Sequence, residues 1–157
     1  MTRNKLNFFL FLFLLNIILV LSTGVMSDEN INFSSLKKNE VNLRQGPSFE
    51  YPIILTYKKK YLPVIVLDKS YAWKKIKDFE NNSGWIHISQ LSKKKSAINI
   101  KNYSIIFEKP TIYSNPVVRL EVGKLLLVKK CKLKWCKVRA EKFTGWISKS
   151  YLWGKTK

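Results

Sequence analysis

The stretch WKKIKDFENNSGWIHISQL, residues 73–91, decides the fold, because it returns as WCKVRAEKFTGWISKSYL at residues 135–152. In the first copy Trp73-Lys-Lys-Ile76 leads, eleven residues after Trp73, to Gly84-Trp85-Ile86, and the copy closes on Ser89-Gln90-Leu91. In the second, Trp135-Cys-Lys-Val138 leads, ten residues after Trp135, to Gly145-Trp146-Ile147 and then Ser150-Tyr151-Leu152. Side chains alternate along a strand. Trp73, Lys75 and Lys77 therefore share one face, and Lys74 and Ile76 the other, with Ile76 inward. In the second copy Trp135, Lys137 and Arg139 share a face opposite Cys136 and Val138.

Working outward, no segment past residue 28 has helical periodicity. Short runs of Val, Ile, Leu, Tyr and Trp recur between Gly, Pro, Asn and Lys clusters, the pattern of an all-β chain with short strands. The expected strands are Val41–Arg44, Ile53–Tyr57, Leu62–Leu67, Trp73–Asp78 and Gly84–His87, then Tyr103–Phe107, Val117–Leu120, Leu125–Cys131, Trp135–Ala140 and Gly145–Ser148. Pro47 and Tyr51-Pro52-Ile53-Ile54 echo Pro110 and Asn115-Pro116-Val117-Val118, so one unit is used twice, at residues 38–92 and 98–154. Units this small are near the lower limit for an independent core, so the two are expected to pack against each other. The connection, roughly 92–102, begins with Lys93-Lys94-Lys95 and is too short to be a loose tether.

Val41-Asn42-Leu43-Arg44-Gln45-Gly46-Pro47-Ser48 with Tyr51-Pro52-Ile53-Ile54 resembles the opening of bacterial SH3-like (SH3b) domains, and Trp73-x-x-Ile76 with Gly84-Trp85-Ile86-His87 resembles their last two strands. The second unit matches mainly from Pro116 on. Its ending, from Cys131 to Trp153-Gly154, resembles the C-terminal repeat of twin SH3-like proteins exported by proteobacteria. Its start departs from the pattern, with Phe107-Glu108-Lys109-Pro110 where the first unit has Leu43-Arg44-Gln45-Gly46-Pro47. The resemblance implies two tandem SH3-like small barrels after an N-terminal signal helix, in an envelope setting. It implies no reaction.

Residues 1–5 are short and basic, residues 6–21 are apolar apart from Asn7 and Asn16, and small residues Ser22, Thr23, Gly24 and Ser27 follow. This is the layout of a secretory signal peptide over 1–27, with cleavage after Gly24 or Ser27 both fitting. An uncleaved membrane anchor is the alternative, and is the one membrane contact expected. The chain carries a net charge of +19. Removal of residues 1–27 takes Arg3 and Lys5 and none of the ten acids, leaving +17. Such a chain adheres to anionic matter. A periplasmic or secreted protein meets envelope polymers rather than cytosolic nucleic acid, so no specific nucleic acid is expected. AT-rich coding bias toward Lys, Asn and Ile is a competing source of the charge.

The cysteines, Cys131 and Cys136, are expected to face each other across a hairpin. Facing residues at a non-hydrogen-bonded pair have Cα atoms about 4.5 Å apart, close to what a disulfide needs. An oxidising compartment would bridge them. A metal site would need more ligands than the lone His87 supplies. With both cysteines bridged and one histidine, no nucleophile–base pair remains, and no glycine-rich phosphate loop occurs. A non-catalytic protein without cofactor or metal is expected. The candidate ligand-binding residues are Tyr51, Tyr57, Trp73, Lys75, Trp85, Trp135, Lys137 and Arg139. A tryptophan flanked by cations can stack on a sugar ring while the cations pair with carboxylates or phosphates. The competing reading has each Trp merely covering a barrel end or supporting its strand. The expected partner is peptidoglycan or another anionic envelope polymer; the alternative is an envelope protein held by a scaffold.

Overall fold

The computed structural model describes residues 31–156. Among them there is no α-helix. Fourteen strands form two seven-stranded antiparallel sheets of the same topology. The first contains β1 (Phe33–Leu36), β2 (Val41–Arg44), β3 (Ile53–Tyr57), β4 (Pro63–Ser70), β5 (Trp73–Lys77), β6 (Ser83–His87) and β7 (Leu91–Ser92), in the order β3-β2-β6-β5-β4-β1-β7. The second contains β8 (Ser96–Asn99), β9 (Ser104–Phe107), β10 (Pro116–Leu120), β11 (Leu125–Lys132), β12 (Trp135–Ala140), β13 (Phe143–Ser148) and β14 (Leu152–Gly154), in the order β10-β9-β13-β12-β11-β8-β14. The signal segment read over residues 1–27 lies outside the described residues.

Each sheet bends around its own core. Leu36, Val41, Leu43, Tyr57, Val64, Ile76 and Ile86 fill the first, and Ile106, Leu120, Leu126, Val128, Val138 and Ile147 lie at the centre of the second. Closure depends on a close crossing. β2 meets β6 through the single pair Arg44–Trp85, and β9 meets β13 through Phe107–Trp146. Gly84 and Gly145 stand one residue before those tryptophans and leave the room for it.

The connection read at 92–102 is not a linker. Its Ser96–Asn99 is β8, fully buried, and pairs with both β11 and β14. β1 plays the same part in the first unit, between β4 and β7. Both strands carry buried polar residues, which hides them from a hydrophobicity pattern; backbone groups satisfy Ser35 and Asn99, while the buried Ser96 hydroxyl has no partner among the described residues. Ser35 Oγ donates to the carbonyls of Ser92 (3.2 Å) and Lys94 (2.9 Å), and Asn99 Nδ2 donates to those of Lys101 and Glu121, both at 2.8 Å. As expected, the two units pack together. Trp153 of β14 stands edge-on to Phe33 (5.1 Å between ring centres) and Phe79 (5.7 Å).

The β11–β12 hairpin turns through Leu133 and Lys134 and places Cys131 opposite Cys136, which are joined as a disulfide.

Candidate functional site

The outer face of the first barrel is built around Arg44. Its Nη1 donates to the carbonyls of Phe49 (2.9 Å) and Tyr51 (2.7 Å), and its guanidinium lies 5.6 Å from the centre of the Phe49 ring. One side chain therefore folds the loop between β2 and β3 back onto the sheet. Phe49 lands edge-on to Trp73 at 4.9 Å and stacks at a tilt on His87 at 5.5 Å. His87 accepts a hydrogen bond from the Ser89 amide and so caps the 3₁₀ turn Ile88–Gln90. Phe49 stays 62% exposed and Tyr51 46%. Beside them, cross-strand pairing sets Lys75 against Trp85, and Trp85 against Arg44. The result is an aromatic face, Phe49, Tyr51 and Trp85, rimmed by Arg44 and Lys75.

Two expectations need correcting. Trp73 is on the outward face with Lys75, as alternation requires, but Phe49 and His87 cover it and leave it 7% exposed. It supports the face rather than forming it. Tyr57 is not on the surface at all. It lies in the core, 7% exposed, and donates its hydroxyl to Asp78 Oδ2 at 2.9 Å. Burial, then the neighbouring Asp78 carboxylate, pushes its phenol pKa up.

The second barrel repeats the face with substitutions. Phe107 takes the place of Arg44 and meets Trp135 edge-on at 6.0 Å. Trp146 pairs with Lys137 across the strands, and Lys130 lies 5.9 Å from its ring centre. Trp135 and Trp146 are half-buried. Arg139, further along the same side of β12, lines a pocket between the barrels. Sequence reasoning missed Arg44, Phe49 and Lys130. The first two act through a loop conformation that no strand periodicity encodes. Lys130 could have been found by extending the β11 pairing register.

Among the described residues no group of three or more His, Cys, Asp or Glu side chains is placed to hold a metal ion.

A family model described as bacterial SH3 domain matches the sequence twice, at residues 37–93 and 101–154. No curated protein matches it. Among solved structures the chain is similar to NlpC2 from Trichomonas vaginalis (12% identity, TM-score 0.37, covering 82% of this chain and 50% of that one). It is similar to NlpC1 from the same organism (13%, 0.38, 87% and 50%). A third likeness is to an NlpC/P60 family protein from Bacillus cereus (12%, 0.35, 78% and 56%). The chain spans about half the length of these structures.

Proposed function

We propose that this chain, which belongs to the bacterial SH3 domain family, is a non-catalytic, exported binding module for peptidoglycan or another anionic envelope polymer. The observation that carries the reading is the face on which Phe49, Tyr51 and Trp85 are held between Arg44 and Lys75, with a related face at Trp146, Lys130 and Lys137. Exposed rings offer flat apolar surface to a sugar, and fixed cations beside them pair with its carboxylates or phosphates. The mature charge of +17 adds long-range attraction. Export belongs to the same reading. The Cys131–Cys136 bridge suits an oxidising compartment, and residues 1–27 have the layout of a signal.

The test is co-sedimentation of the folded protein with purified sacculi at physiological salt. The wild type should be retained. A Phe49→Ala/Tyr51→Ala variant should bind roughly 30-fold more weakly, since two aromatic contacts at about 1 kcal/mol each are removed. No retention of a folded wild type would sink the polymer reading. Export is checked by cell fractionation with N-terminal sequencing, where a chain starting after Gly24 or Ser27 is expected.

A second reading, an envelope protein as partner, is favoured by the two hairpin tips. Tyr71 and Leu133 are fully exposed there, each on a left-handed backbone. Crosslinking in the envelope that recovers one stoichiometric protein, and no polymer, would favour it.

A further inference from the structure

A pocket of about 260 Å³ opens where the two barrels meet, lined by Lys59 and Tyr61 from the first and Lys124, Leu125, Leu127, Arg139 and Glu141 from the second. Its charges do not cancel. Lys124 is hydrogen-bonded to Glu141 as an ion pair. Among the described residues neither Lys59 nor Arg139 has a carboxylate partner, so two cations face the opening with nothing to neutralise them. The Leu125 and Leu127 side chains and the Tyr61 ring supply apolar wall.

The backbone adds an independent sign. Tyr61 is in the left-handed region at φ 64°, and its amide donates to the Leu36 carbonyl at 2.8 Å. The equivalent position in the second barrel is Gly123, at φ 81°, whose amide donates to the Asn99 carbonyl at 2.8 Å. The same turn is thus made with glycine in one barrel and with a strained tyrosine in the other. Strain of this kind persists where the surroundings hold it, and it clusters at ligand sites.

We infer that this pocket is a subsite for one carboxylated sugar unit, with Arg139 and Lys59 pairing the carboxylate and Tyr61 lying against the ring. Arginine matches a carboxylate with two parallel N–H donors. A bare phosphate would leave the leucines and the tyrosine ring uncovered. The volume lies just below the roughly 300 Å³ at which ligand pockets begin, and suits one ring rather than an oligosaccharide. The assignment deepens the polymer-binding reading and rests on it for the biological source of the sugar.

The test is an NMR titration of the full chain with N-acetylmuramic acid, with neutral N-acetylglucosamine and glycerol 3-phosphate as comparison probes. Shifts should centre on Tyr61, Leu125 and Leu127 and be strongest for the carboxylated sugar. Arg139→Gln should weaken that binding about tenfold. Tyr61→Gly should weaken it too while leaving the melting temperature unchanged or raised, because the backbone strain is relieved; a merely structural tyrosine would not separate the two. Equal binding of the neutral sugar, stronger binding of the phosphate, or Arg139→Gln binding within twofold of wild type overturns the inference. Sacculus retention is read separately. Retention without pocket shifts leaves the polymer reading standing and this inference overturned, and pocket shifts without retention do the reverse.

Discussion

Replacing Gly84 by alanine should cost the first barrel more than any other one-carbon addition at a glycine that keeps an ordinary φ there. A Cβ at this position would sit 2.7 Å from the Arg44 carbonyl oxygen, 2.8 Å from Leu43 Cγ and 3.1 Å from Ile54 Cδ1. Ile54 is exposed and can swing away. Leu43 is fully buried, and the Arg44 backbone forms the only pairing between β2 and β6, so neither can yield without opening the barrel. Overpacking costs about 1–3 kcal/mol, and a backbone obstacle puts this case near about 3. For a folded unit of this size that lowers the melting temperature by roughly 10 °C, at about 4 °C per kcal/mol. Gly123→Ala is the control. Its Cβ would meet nothing within 4 Å, but φ is 81°, so the cost is backbone strain alone, about 1 kcal/mol. Thermal melts followed by far-UV circular dichroism rank the two. The reasoning fails if Gly84→Ala melts at or above Gly123→Ala. Gly145→Ala should follow Gly84→Ala, because its Cβ would run into the Phe107 carbonyl and lie 2.6 Å from Ile106 Cγ2.

Three further outcomes are expected. Tyr57 has its phenol pKa raised in the fold, so its contribution is whole below the unfolded value of about 10 and is lost as pH rises above it. Above about pH 10, unfolding free energies from urea melts should fall by up to about 1.4 kcal/mol per pH unit more steeply in wild type than in Tyr57→Phe, and parallel curves would refute this. Reduction of Cys131–Cys136, or its replacement by serines, should cost about 2 kcal/mol, since the bridged loop is short; an unchanged melting temperature under reductant would contradict it. Gly46→Ala should displace the Tyr51 ring, whose carbons would lie 2.6 Å from the new Cβ, and weaken sacculus binding. That ring is half exposed and free to move, so the stability loss should stay within about 1 kcal/mol; a loss matching Gly84→Ala would show the ring to be structural.

The ten strands with apolar rhythm were legible because their inward residues recur every second position, as at Leu43, Ile76, Ile86, Ile106, Val138 and Ile147. β1 and β8 were not, because Ser34, Ser35, Ser96 and Asn99 stand where that rhythm expects Val or Ile. Ser34, Ser35 and Asn99 take backbone partners from other parts of the chain. β3 misleads for the opposite reason: Ile53 and Ile54 are exposed while Tyr57 is buried, its hydroxyl matched by an aspartate distant in sequence. At the proposed binding face, the paired residues Lys75, Trp85, Lys137 and Trp146 follow from strand register. The covering of Trp73 does not, since it depends on how Arg44 folds the preceding loop.

Comparing the two barrels position by position separates what the fold requires from what it tolerates. In the first, Leu36 and Val41 are apolar neighbours in the core, and Tyr57 pairs with Asp78. In the second, the sites of Leu36 and Val41 hold Asn99 and Ser104, joined by a 2.8 Å hydrogen bond, while those of Tyr57 and Asp78 hold Leu120 and Ala140. Each core thus carries a satisfied polar pair at one of these places and an apolar pair at the other. Changing one partner alone would leave a buried polar group unpaired, at a cost of about 1–3 kcal/mol, so the residues exchange as pairs. The outer faces are not bound in this way. Arg44 against Phe107, His87 against Ser148 and Tyr61 against Gly123 differ one residue at a time, on surfaces where water can satisfy what a partner does not. The two barrels thus share a topology while their faces differ, and the seam between them, lined by Tyr61 from one and Arg139 from the other, belongs to neither alone.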